Sequence, residues 1–151
     1  MLHKTIILCL VFALVLLGAG SWGQSGAPPA NAGSVPLEGT YWRLIEIGGM
    51  AVGGANENGA NLILNAQGNK LDGSTGCNKL IGSYKLREGA LRFKLGKLTK
   101  TACPGALGKQ EEAFVEILKE TQNYRIVGET LELRDKEDLL ARFQAQPQQR
   151  P

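Results

Sequence analysis

Leu91-Arg92-Phe93-Lys94-Leu95 alternates without a break. Leu91, Phe93 and Leu95 fall on one face and Arg92 and Lys94 on the other, the period-2 pattern of a strand with one side in a core and one in water. Residues 108–120 change the period: Ala113/Phe114, Ile117/Leu118 and Thr121 recur at helical spacing. Glu111 and Glu112, read as lying near the start of that helix, suit the positive end of its dipole. Together these two stretches predict strands accompanied by a single helix. Working outward, Tyr41–Ile47 mixes aromatic and β-branched residues and predicts a strand stopped by Gly48-Gly49, with a loop over 50–59. Asn61–Asn65 and residues 70–75 read as a hairpin, and Gly73 and Gly76 suggest a bulge or a close backbone approach. Residues 80–86 precede a turn at 87–90, and three short strands close the chain at Asn123–Val127, 130–134 and 139–143. The total is about eight short strands joined by tight turns, hence a mainly antiparallel sheet. The expected class is α+β: a curled sheet with one helix packed on it through Phe114, Ile117 and Leu118.

The chain has 151 residues, enough for one core, and a net charge of +3. Residues 6–17 are unbroken apolar, follow a short basic start, and are followed by small residues with Ser21 and Gly23 at −3 and −1 of a cut after Gly23. This predicts a secretory signal peptide over 1–23, a flexible Gly/Ala/Pro-rich linker over 24–36, a domain over 37–144 and a disordered tail over 145–151. An uncleaved membrane anchor is the minor alternative, because the run is shorter than the roughly 20 residues a span requires. Cys9 lies inside the run, not after it, which disfavours a lipid-modified cysteine. The expected location is periplasmic or extracellular, with no stable membrane span after cleavage.

Export removes His3, the only histidine. Ser-His-Asp and Cys-His nucleophile systems are then excluded, and two thiolates have no imidazole to complete a tetrahedral zinc site. No catalytic, cofactor-binding or metal residue is assigned. A Ser-Lys dyad using Lys79 or Lys100 would need a buried lysine, there is no calcium-loop pattern, and the folded length leaves little material for a sugar cleft.

Two motifs carry a resemblance. Gly76-Cys77-Asn78 with Gly82 and Tyr84 is followed by Thr99, Ala102 and Cys103, then by Glu111 and Phe114 at the helix. With the opening Tyr41-Trp42-Arg43-Leu44, this ordered set resembles the META domain, the family of the bacterial heat-shock protein HslJ. Lys100 stands where the family usually has Arg. The resemblance implies a small exported domain linked to heat shock, envelope stress and, in some members, antibiotic resistance, with no established catalytic activity.

In an exported chain Cys77 and Cys103 tend to be oxidised, and their bond would close a loop of about 27 residues, contributing about 3 kcal/mol. The alternative is two buried free thiols. Gly76-Cys77-Asn78 reads as a structural corner, with Asn78 tolerating a left-handed backbone. Trp42 and Tyr84 read as core or sheet-edge aromatics with a wet polar tip. Seven basic residues fall in 79–100 against one acid, whereas 110–138 holds nine acids and four bases. Lys85, Arg87, Arg92 and Lys94 are the candidate face for an anionic partner, with solvated strand faces as the plainer explanation. Nucleic acid is not expected as a partner, nor any cofactor, and the chain reads as a monomer. The functional expectation is a non-enzymatic envelope protein that supports stress tolerance by binding or scaffolding. The alternative is a secreted inhibitor or small-ligand binder using the open face of the sheet.

Overall fold

A computed structural model describes residues 34–52 and 59–147. The expected signal peptide, residues 24–33 of the expected linker and the last four residues lie outside that range. Nine strands and one helix follow in order: β1 Tyr41–Ile47, β2 Met50–Ala51, β3 Asn61–Asn65, β4 Lys70–Ser74, β5 Lys79–Arg87, β6 Ala90–Leu98, α1 Ala106–Glu120, β7 Asn123–Val127, β8 Thr130–Asp135 and β9 Asp138–Gln146. The α+β class with a curled antiparallel sheet and one helix is what the sequence predicts. The additional strand is β2. Gly48 and Gly49, at φ 54° and 81°, reverse the chain instead of only stopping it, so Met50 and Ala51 pair back on Ile47 and Glu46.

All pairings between the named strands are antiparallel, and β1 pairs with both β3 and β9. The sheet therefore closes into a ring, β1-β3-β4-β5-β6-β7-β8-β9 and back to β1. The two edges of the curled sheet are thus joined between β9 and β1. Alternation fills the interior: Trp42, Leu62, Leu64, Leu71, Leu91, Leu131, Leu133 and Phe143 are wholly buried.

One seam of the ring is thin. β6 and β7 share a single paired position, Ala90 with Asn123, next to the Leu91 N–H that donates to the Gln122 carbonyl. Helix α1 occupies the space beside the seam, packing on β6 and β8. Its buried residues are Phe114, Ile117 and Leu118, and the Phe114 ring centroid is 6.0 Å from that of Phe143. The helix starts at Ala106, two residues before the expected start, after Gly105 at φ 55° and without a side-chain cap. Glu111 and Glu112 consequently lie in its second turn, and no acid stands in the first. The dipole is not what places them.

Glycines permit close approach at two strand positions. A Cβ at Gly73 would stand 2.5 Å from the Asn61 carbonyl oxygen, and one at Gly82 would stand 2.6 Å from that of Lys94. The register of β5 on β6 shifts between Ile81 and Gly82, a bulge that lets the ring curl there.

The ordered unit extends past both expected boundaries. Val35 donates its N–H to the Gly128 carbonyl at 3.2 Å. At the other end β9 runs through Gln146, because Gln146 and Ala145 pair with Tyr41 and Trp42. Among the described residues, no helix is long and apolar enough to cross a membrane.

Candidate functional site

The two sequence motifs meet where the start of β5, the loop after β6 and the second turn of α1 converge. Cys77 and Cys103 stand at disulfide distance, with sulfurs 2.03 Å and Cα atoms 6.0 Å apart. Asn78, 2% exposed, is the centre of the junction. Its side-chain oxygen Oδ1 accepts from the Thr99 hydroxyl and the Thr101 N–H, each at 2.8 Å. Its amide nitrogen lies 3.0 Å from the Thr101 carbonyl oxygen, 2.9 and 3.1 Å from the two Glu111 oxygens, and 3.1 Å from the Cys103 sulfur. Asn78 is not among the residues with positive φ. Its side chain, not a left-handed backbone, is why an amide stands there.

Thr75 joins the same network from the end of β4. Its hydroxyl donates to Glu111 at 2.5 Å and accepts the Asn78 N–H at 2.9 Å. Gln110 donates to the Thr75 carbonyl at 3.0 Å. Buried polar groups are tolerable only when partnered, and here the partners come from three segments. The junction therefore fastens the helix to the barrel. Glu111 belongs to the family motif, but its role was invisible in sequence, and Thr75, Thr101 and Gln110 carried no signal beyond their polarity. Thr99 also links strands, since its hydroxyl accepts the Lys79 N–H at 2.9 Å. Gly82 is the bulge, and nothing in the structure explains Ala102, which is exposed.

Both aromatics have protein partners at their polar tips, not the water the sequence suggested. Trp42 donates through Nε1 to the Leu37 carbonyl at 2.8 Å. The Tyr84 hydroxyl donates to the Glu38 carboxylate, and the side chain is buried. Burial first, then the bond to Glu38 and its negative charge, push the phenol well above its ordinary 10.

Lys79 and Lys100 are exposed, so neither meets the burial that a Ser-Lys dyad requires. The basic residues form a strip on the outer face of β5 and β6. Lys85 lies directly across from Arg92, Ser83 from Lys94, and Arg87 from Ala90 at the hairpin end. All four basic side chains are exposed. Arg92 has a second duty: it donates to the Thr121 carbonyl at 3.1 Å and to Gln122 at 3.0 Å, placing a cation by the negative end of α1. The acidic C-terminal stretch is different, because Glu132 is paired with Arg134 and Arg142, and Arg142 also holds Glu46 at 2.8 Å. Among the described residues, Lys85, Arg87, Arg92 and Lys94 make no such ion pair.

A curled antiparallel barrel seamed by one helix and fastened by a buried polar knot defines a small α+β barrel domain. The META domain model matches residues 35–147, so the chain belongs to the META domain family. Two solved structures are similar. A protein from Burkholderia xenovorans, solved by NMR, is 23% identical with a TM-score of 0.58, covering 80% of this chain and 97% of that one. A second NMR structure is 23% identical with a TM-score of 0.52, covering 70% and 88%. At this identity they support the fold alone. No curated protein matches the chain.

Proposed function

We propose that this protein is a non-enzymatic, exported META-domain protein that contributes to envelope or heat-stress tolerance by docking on an anionic envelope component through the β5–β6 strip. The observation that supports this reading is the placement of like charges. Lys85 faces Arg92 across the ladder, an arrangement that costs stability when directly opposed. Lys85, Arg87, Arg92 and Lys94 are exposed without a carboxylate partner among the described residues. An anionic surface would relieve that repulsion, and the contribution is salt-dependent because the charges are exposed. The paired acids Glu46 on β1 and Glu132 on β8 belong to the scaffold. The protein acts as a monomer and needs no cofactor on this reading.

Co-sedimentation with lipid vesicles tests it. Vesicles containing an anionic phospholipid should retain the protein at low salt and release it at high salt, and neutral vesicles should not retain it. Equal retention by both kinds of vesicle would refute the proposal.

A further inference from the structure

The junction that fastens the helix also brings together three ligand atoms. The sulfurs of Cys77 and Cys103 and a carboxylate oxygen of Glu111 all lie within 4.8 Å of one another. We propose that, when the Cys77–Cys103 bond is reduced, these three groups bind a thiophilic divalent cation of the zinc class. A tetrahedral zinc ion, with bonds of about 2.3 Å to sulfur and about 2.1 Å to oxygen, needs its ligand atoms between about 3 and 4 Å apart. Opening the sulfur–sulfur bond brings the pair into that range, and Glu111 is already near it. Three ligands leave one position for water, and two thiolates with a carboxylate suit a zinc-like ion better than a hard cation.

The surroundings support the donor set. The Asn78 amide nitrogen is 3.1 Å from the Cys103 sulfur and 4.0 Å from that of Cys77, so it can donate to sulfur that carries charge. Thr75 fixes one Glu111 oxygen from behind, and such outer contacts orient ligands and tune affinity. All three ligand residues are half-buried, so an ion can reach them from solvent.

A dithiol serves as the reductant. The dithiol gives two electrons and two protons, the bond between the cysteine sulfurs breaks, each sulfur gains a hydrogen, and the dithiol closes its own disulfide. Cation binding then forms two metal–sulfur bonds and one metal–oxygen bond, and the two thiol protons pass to water.

Cobalt(II) alone is the probe. The purified protein is reduced with a phosphine, which takes up the oxygen of one water, and the phosphine is removed under nitrogen before titration. Reduced protein should develop a thiolate-to-cobalt charge-transfer band and the visible bands of a tetrahedral site, saturating at one equivalent. Oxidised protein and Cys77→Ser should not. Glu111→Gln should lower cobalt affinity by about tenfold or more, and Asn78→Ala by about tenfold. Circular dichroism is recorded in parallel. Recovery of structure on adding cobalt to a reduced protein that has loosened would support the site. The proposal is overturned if reduced protein gives no bands, folded or not, or if Glu111→Gln titrates like the wild type.

Discussion

At Asn78 one buried amide serves a strand, a loop and a helix. Replacing it with alanine leaves the Thr101 N–H and the Thr99 hydroxyl without their 2.8 Å acceptor and strips a donor from Glu111. Asn78→Ala should therefore lose about 1–3 kcal/mol of stability, since a buried side chain is truncated and its partners on Thr99, Thr101 and Glu111 lose their bonds. Urea unfolding with an unchanged slope measures this; a loss below about 0.5 kcal/mol would contradict the role assigned to Asn78. Tyr84 gives a pH signature. Its folded-state pKa lies above the ordinary 10, so the folded protein holds that proton more tightly than the unfolded chain. The contribution is complete below pH 10 and is lost as pH rises toward the folded value. Tyr84→Phe should cost about 1 kcal/mol at neutral pH. It should also show a shallower fall in stability above pH 10 than the wild type; parallel curves would contradict a raised pKa at Tyr84.

The β5–β6 ladder depends on a residue with no side chain. Gly82→Ala would push a methyl to 2.6 Å from the Lys94 carbonyl oxygen, in a ladder whose bulge sits at that point. We expect a loss of about 1–3 kcal/mol by thermal unfolding, whereas Gly89→Ala in the adjoining turn meets no atom within 4 Å and pays only for its φ of +83°. Equal, negligible effects at both positions would mean the bulge is not tight. The strands themselves were legible because period-2 alternation is dictated by one buried face, as at Leu91, and the helix was legible through Phe114, Ile117 and Leu118. β2 was not, because two exposed residues, Met50 and Ala51, carry no alternation. The start of α1 was missed because Gly105 and Ala106 give no cap signal, and that error placed Glu111 in the wrong turn. The role of Glu111 depends on contacts with residues 33 and 36 positions away, which no local pattern encodes.

Closure is the property of the whole molecule that single segments do not announce. β1 is flanked by β3 and β9, from opposite ends of the domain, so the first strand completes only when the last one arrives. Closure also sorts the charges. Ion pairs among Glu46, Glu132, Arg134 and Arg142 tie β1, β8 and β9 together, while the basic strip on β5 and β6 is left facing solvent. The net charge of +3 is therefore less informative than its placement. The most direct measurement of the docking reading is the salt dependence of binding to anionic vesicles by Lys85→Glu/Lys94→Glu, compared with a control reversal, Arg125→Glu, on β7. The strip variant should lose about tenfold or more in affinity at low salt and show a flatter salt dependence, with the control near wild type and both variants folded. Unchanged affinity in the strip variant, or an equal loss in the control, would contradict the account.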